Sequence, residues 1–485
     1  MPGISDKVQT ENKHAADKVL LCGAAFAAYT IMSSLSAMDI IAAAKGGNVH
    51  VSSFYALILL STAVGFILFG LVLNKRSFMQ TSMISAAALF IVTMTMVYFF
   101  PNAVNIYLPG ILCALATGVV GGGIYYITSE TLCGNAHMGL TVGGAYGASV
   151  IVQYFVQNYA KGNIPRMTIM VIALVIILWE IRNAGADSVC GDRTDTGKAV
   201  IPESRPGECS ESIREHRETI TERADERGLW ILAATVAAVA LMTGIYDGMA
   251  AELNAANKMN LSGWPRILLG IGTLAAGYLF DIWHKEYLNI IVLCVSIINT
   301  INVILLVSEQ TYLLSQVLVY ASMGFYIFYL IGSFIDAAPQ SSKPAFWAGA
   351  GRMVYLIAMA ATTSLAGAFE SVSPVTMDII MMVLLLIVFI MFVLKGGFAF
   401  RNNSAAVKSI TAEDKINILS EQYGLTPREK DVLGAVSTSE KTLASIASDL
   451  GISERVLQRH LSSIYKKTGT QTRNGLSIAL HGINK

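Results

Sequence analysis

The sequence predicts an all-α, polytopic membrane protein: twelve membrane-crossing helices in two sets of six, followed by a small four-helix soluble domain. Three observations carry that expectation. The 485 residues are 54% hydrophobic and only 14% charged, with a positive mean hydropathy, which is too apolar for a soluble chain of this length. Apolar runs of the roughly 20 residues needed to cross a hydrocarbon core recur up to residue 395. From Thr411 onward the hydropathy falls and the helix-start signals of a small soluble domain take over.

The N-terminal segment 1–18 is polar and carries Lys7, Lys13 and Lys18. The first apolar run follows it near 19–41, too long for a signal peptide and without a small-residue cleavage site, so it is read as a spanning helix. Further runs fall near 51–73, 78–100, 107–128, 137–160 and 164–181, closing a first set of six in 19–181. A polar connector between the halves, 182–228, mixes acids and bases; the alternative for its later half, with Glu211, Arg214, Glu215, Arg217, Glu218, Glu222 and Arg223, is a solvated amphipathic helix with i, i+4 pairs. The second set, 229–395, holds runs near 229–250, 263–283, 287–307, 311–335, 344–368 and 375–395. A tether, 396–410, leads to the soluble domain, 411–485.

Basic residues set the orientation. With the N-terminus inside, the inner segments hold Lys75, Arg76, Lys285, Lys343, Lys395 and Arg401 plus the bases of the connector, whereas the outer loops hold only Lys45, Lys161, Arg166 and Lys258. An even number of crossings returns the C-terminus to the cytoplasm, which makes this a multi-pass cell-membrane protein with both termini cytoplasmic and the lipid bilayer as its solvent. The five tryptophans, Trp179, Trp230, Trp264, Trp283 and Trp347, fall near predicted helix ends, where interfacial anchors belong.

The sequence lacks the marks of an enzyme. Its six cysteines (Cys22, Cys113, Cys133, Cys190, Cys209, Cys294) have no CxxC spacing, and its seven histidines are dispersed. There is no HExxH, no GxSxG and no phosphate-binding glycine loop, so no catalytic residue, metal or cofactor is expected.

Helices 2 and 8 end alike. Gly65 and Gly70 precede Asn74, Lys75 and Arg76; Gly272 and Gly277 precede Asp281, His284 and Lys285. This resembles the loop motif of the major facilitator superfamily, in which a glycine allows close helix packing and an Asp with basic residues follows; the first copy here has no Asp. The resemblance implies a six-plus-six transporter-like body. In helices 4 and 5, Gly118, Gly121, Gly122, Gly123, Gly143, Gly144 and Gly147 suit close helix contact.

In the tail, Thr411 with Asp414 gives one N-terminal capping pattern. A second is fuller: Thr426 as N-cap, Pro427 as the first helical residue and Glu429 reaching back to the cap. Thr442 caps a short helix carrying Leu443, Ile446, Ala447 and Leu450; Gly451 ends it, and Ser453 starts the next helix, running to about Thr468. Helix, glycine turn, capped helix is the pattern that sets a second helix into a DNA major groove.

These residues, with Val432, Leu433, Ile452, His460, Ile464, Tyr465, Lys467, Gly469 and Arg473, resemble the signature of LuxR-type DNA-binding domains; joined to a twelve-helix body, the chain is similar to membrane-bound LuxR-type regulators. Val456, Leu457 and Gln458 stand where that family usually has Thr, Val and Lys, a departure that bears on the target sequence. The resemblance implies double-stranded DNA as partner, and dimerisation through a last helix at about Asn474 to His481.

Arg455, Val456, Gln458 and Arg459 are the base-facing candidates, since Arg suits guanine and Gln adenine. Lys466, Lys467 and Arg473 are the phosphate candidates, and His460 is read as a packing residue. The alternative for the group is a solvated helix face. Residues 420–485 hold nine Lys or Arg against six Asp or Glu, a modest excess, so two copies acting as a homodimer on a two-fold site are expected.

In the body, ionisable residues within apolar runs mark candidate ligand positions: Asp39, Asp247 and Arg266 near the outer helix ends, and Arg352 deeper, with a structural pairing to Asp336 as its alternative. Tyr125 and Tyr154 are candidates for lining an aromatic pocket. Helix-end residues reached by water are the competing reading. The expectation is a one-component regulator in which a small-molecule effector acts on the body and controls DNA binding by the tail. The alternative is a secondary transporter with a regulatory DNA- or protein-binding tail.

Overall fold

The computed structural model describes residues 3–45, 51–74, 78–100, 103–194, 226–255, 258–261, 263–282, 286–306, 309–369, 374–394, 416, 419–420, 423–438, 442–468 and 470. Backbone contacts divide the chain into two compact units, residues 1–397 and 398–485.

Among the described residues, the first unit contains twelve long helices: α1 (Gly3–Lys45), α2 (Val51–Leu68, continued by a π-helical turn Phe69–Leu73), α3 (Met79–Phe99), α4 (Ala103–Thr131), α5 (Met138–Tyr159), α6 (Asn163–Thr194), α7 (Glu226–Ala255), α8 (Arg266–Ile282), α9 (Glu286–Leu305), α10 (Tyr312–Ala337), α11 (Pro344–Phe369) and α12 (Pro374–Leu394). Among the described residues, eleven helices are long and apolar enough to cross a membrane. The helix at the remaining expected crossing is α8, which is 17 residues long. The outward faces are apolar too. Along α12, Ile379, Met382, Val383, Leu386, Phe389 and Val393 are exposed, as they should be where lipid replaces water.

Helix ends depart from the sequence expectation at two places. α1 begins at Gly3, well before the apolar run, and α6 continues to Thr194, into the expected connector. Most of the connector, including its amphipathic stretch, and the tether lie outside the described residues. Trp347 is corrected: it is 3% exposed, stacked on Phe334 and set edge-on to Trp230 and Phe346, so it is a core residue and no interfacial anchor.

Helices of the two sets alternate in their contacts. α2 packs on α4 and on α11; α8 packs on α10 and on α5. Glycines permit both approaches. A Cβ on Gly65 would fall 2.8 Å from the Cα of Gly118 on α4, and a Cβ on Gly272 2.6 Å from the Ala321 carbonyl oxygen and 3.3 Å from the Cα of Gly324 on α10. One turn further on, Gly70 faces Phe346 of α11 and Gly277 faces Gly139 of α5. The glycine pairs read from sequence therefore do the same packing work in each set.

The two copies differ at the next position. Asp281 ends α8 beside the first turn of α5, and its two carboxylate oxygens accept the backbone amides of Gly139 and Leu140, each at 2.7 Å. Those amides are among the donors a helix N-terminus leaves unpaired, and a carboxylate also suits the positive end of the helix dipole. Asn74, in the first copy, donates instead to the Gly70 carbonyl of its own helix. Asp281→Ala is expected to remove about 1–2 kcal/mol from the α5–α8 contact, and Asp281→Asn less, since one acceptor remains. Thermal melting of the purified protein in detergent checks this; equal midpoints for wild type and Asp281→Ala would contradict it.

Candidate nucleic-acid interface and a candidate ligand site

The second unit is built on three described helices, α13 (Pro427–Thr438), α14 (Leu443–Asp449) and α15 (Glu454–Thr468), with Ile416 and Leu419 from the preceding segment in the same core. Val432, Leu433 and Val436 of α13, Ile446 and Ala447 of α14, and Leu457, Leu461 and Ile464 of α15 are its buried residues. These recur at three- and four-residue spacing, so each helix turns one apolar stripe inward and leaves the other to water.

The start of α13 is a closed capping box. Thr426 Oγ1 accepts the Glu429 amide at 3.3 Å, while Glu429 Oε2 accepts the Thr426 amide at 2.7 Å. Glu429 reaches further than the box requires: it is 5% exposed, its Oε1 accepts Ser463 Oγ at 2.6 Å, and its Oε2 accepts Lys467 Nζ at 2.7 Å. One carboxylate thus ties the first turn of α13 to the last turns of α15. Burial alone pushes such a carboxyl up, but the ammonium of Lys467 and the hydrogen bonds from Ser463 and Thr426 outweigh it and hold Glu429 down at about 2.

α14 is capped by Thr442, whose Oγ1 accepts the Ser445 amide, and it ends in a turn where Ile452 N bonds to Ala447 O at 2.9 Å. Gly451 takes φ +64° there, a conformation a side chain would strain. Ser453 then accepts the Val456 amide and begins α15.

The exposed residues of α15 include Arg455, Gln458, Arg459, Ser462 and Lys466, positions i, i+3, i+4, i+7 and i+11 of one face, with Val456 37% exposed beside them. Among the described residues, Arg455, Arg459 and Lys466 have no carboxylate within 4.0 Å. Lys467, the other lysine of that pair, has its ammonium held by Glu429 and by the Gly424 carbonyl, a tie within the domain. Ser462 is the residue sequence reasoning missed on this face; its seven-residue distance from Arg455 was the available signal. Arg473 and the expected last helix lie outside the described residues.

Residues 424–479 match the family model of bacterial regulatory proteins, luxR family (GerE). The tail carries a LuxR-type helix-turn-helix domain. Within it, α14 and α15 are the two helices of the motif and α15 is the one that carries the exposed basic stripe. Among curated proteins, none matches the chain.

In the body, the candidate residues separate into two groups. Asp39 is 6% exposed; its Oδ1 lies 2.5 Å from Arg166 Nη1 and its Oδ2 accepts the Tyr98 hydroxyl at 2.5 Å. It is therefore engaged by α6 and α3, and both partners were unforeseen from sequence. Arg266 donates to Gln157 Oε1 at 2.6 Å, which joins α8 to α5, and Asp247 feels its charge. Arg352 forms the second group. Its guanidinium carbon sits 5.3 Å from the centre of the Tyr355 ring. Tyr125 is 2% exposed within a cluster with Phe26, Tyr29 and Phe66, whereas Tyr154 stands edge-on to the exposed Phe155. Among the described residues no group of three His, Cys, Asp or Glu is placed to hold a metal.

Proposed function

We propose that the chain is a membrane-embedded transcription regulator, in which a small molecule held by the helical body controls the binding of double-stranded DNA by the tail. One observation carries the DNA half of this reading. A capped helix of a LuxR-type domain presents Arg455, Gln458, Arg459 and Lys466 on one solvent face, with no acidic partner among the described residues. Such a face supplies bidentate donors for guanine and adenine edges and charge for phosphates. The apolar helices in the same chain support membrane embedding.

The finer reading is a body of twelve crossings in two related halves, like the major facilitator superfamily, with both termini cytoplasmic. The alternating contacts of α2 with α11 and α5 with α8, and the paired glycines behind them, support it. The excess of basic residues in the tail is small, so each tail contacts few phosphates and two tails act together on a two-fold site. In a mobility-shift assay, residues 411–485 are expected to retard a duplex from the promoter region beside the chain's own gene. Affinity should fall by an order of magnitude or more when salt rises from about 50 to 200 mM. Absence of any retardation would leave the alternative of a protein-binding tail.

A further inference from the structure

α7 and α12 lie side by side in the helical unit, and at one end of the pair a cavity of about 520 Å³ opens between them. It is lined by Arg227, Trp230, Ile231 and Ala234 of α7 and by Met391 and Leu394 of α12. The four α7 residues stand at i, i+3, i+4 and i+7 and so share one face of that helix, and the two of α12 stand at i and i+3. Arg227 lies in the first turn of α7 and Leu394 is the last residue of α12, so the groove begins where both helices have their ends. Beside it Ile390, Val393 and Leu394 of α12 are exposed, apolar surface of the kind that lipid covers.

The polarity of the groove changes along its length. At its end stand the exposed Arg227 and the exposed Trp230, a cation and an amphipathic ring of the kind that settles at headgroup level. Trp230 is set edge-on to the buried Trp347, ring centres 5.0 Å apart, which holds it as one wall. Ile231 and Ala234 follow one and two turns further along α7, with Met391 one turn back from the end of α12, and they offer no charge. Glu226, the acidic neighbour of Arg227, accepts the Ser342 hydroxyl. Cation, aromatic ring, then aliphatic floor is the complement of an amphiphile with an anionic head. A water-soluble anion would leave the apolar floor uncovered, and the connector leading into Glu226, rich in Glu and Arg, has no apolar run to fill it.

We propose that this groove holds one anionic phospholipid, with its phosphate on Arg227 and an acyl chain along Ile231, Ala234 and Met391. The proposal rests on the membrane embedding of the body and needs neither a soluble effector nor DNA binding. The guanidinium supplies paired donors that match phosphate oxygens, and a basic residue at the end of a spanning helix gains from a net negative headgroup. Phosphatidylcholine carries a trimethylammonium beside its phosphate, which Arg227 repels, so net negative headgroups are preferred. The cavity falls within the roughly 300–1,000 Å³ of sites that hold small organic ligands; the rest of the lipid stays in the bilayer.

The test titrates the full chain in detergent with palmitoyl-oleoyl phosphatidylglycerol, or with the phosphatidylcholine of the same chains, and counts bound lipids by native mass spectrometry. The first phosphatidylglycerol should bind about tenfold more tightly than the first phosphatidylcholine. Arg227→Gln should remove that preference. Ala234→Phe, at an exposed position that leaves Arg227 in place, should weaken the first phosphatidylglycerol by a similar factor because its ring fills the groove, and it decides the matter if Arg227→Gln fails to fold. Glycerol 3-phosphate, a phosphate without acyl chains, should not compete at the same concentration. No preference between the two lipids, as would result if a segment of the chain itself filled the groove, would overturn the proposal. So would a preference that survives Arg227→Gln, undiminished phosphatidylglycerol affinity in Ala234→Phe, or competition by glycerol 3-phosphate. Any of these leaves membrane embedding untouched, which resistance of the chain to carbonate extraction from membranes reads separately.

Discussion

Replacing Glu429 with alanine is expected to cost the C-terminal domain about 3 kcal/mol. Its carboxylate accepts from the Thr426 amide and hydroxyl, from Ser463 and from Lys467, and it is almost wholly enclosed. Alanine leaves a helix cap, a hydroxyl and a half-buried ammonium without their partner at once. A domain of this size has on the order of 5 kcal/mol in total, so a large fraction should be unfolded at growth temperature. The same carboxylate sets an acid limit. Its pKa falls from 4.5 to about 2 on folding, so its contribution is complete above about 4.5 and disappears as the pH falls through about 2. Urea denaturation of residues 411–485 at pH 7 and at pH 3 checks both: wild type should lose stability between them, and Glu429→Ala should lose correspondingly less. Equal stabilities of the two proteins at pH 7 would show that the network does not matter.

The double substitution Arg455→Gln, Arg459→Gln is expected to weaken DNA binding by at least about a hundredfold. Both side chains are exposed on α15 and have no acidic partner among the described residues, so folding should not change. Each lost phosphate contact lowers the slope of log affinity against log salt by about 0.9, so that slope distinguishes lost backbone contacts from lost base readout. Anisotropy titrations at several salt concentrations, beside a melting curve of each protein, give the result. Unimpaired binding would mean that α15 does not face DNA.

Features whose cause is local were legible in the sequence. Thr426, Pro427 and Glu429 announce a helix start because capping involves residues three apart, and Thr442, Gly451 and Ser453 mark the turn for the same reason. The glycines of helices 2 and 8 were legible as packing positions because only glycine lets backbones approach so closely, although their partners were not. Long-range pairings left no such trace. The tie of Lys467 to Glu429 joins two helices and is marked by no local spacing. Asp39 reads as one of an outer trio with Asp247 and Arg266, but Arg166 and Tyr98, far away in sequence, engage it. The rings packed against Tyr125, namely Phe26 and Tyr29 of α1 and Phe66 of α2, lie on other helices, and no spacing within a single helix joins them.

The central claim is that one chain both sits in a bilayer and binds DNA through its tail. It is tested most directly by capture of a promoter duplex on the full chain reconstituted in lipid nanodiscs. The chain should retain the duplex at low salt and release it as salt rises, and a chain ending at Gly397 should retain none. Equal retention by the two chains, or none by either, would contradict the account.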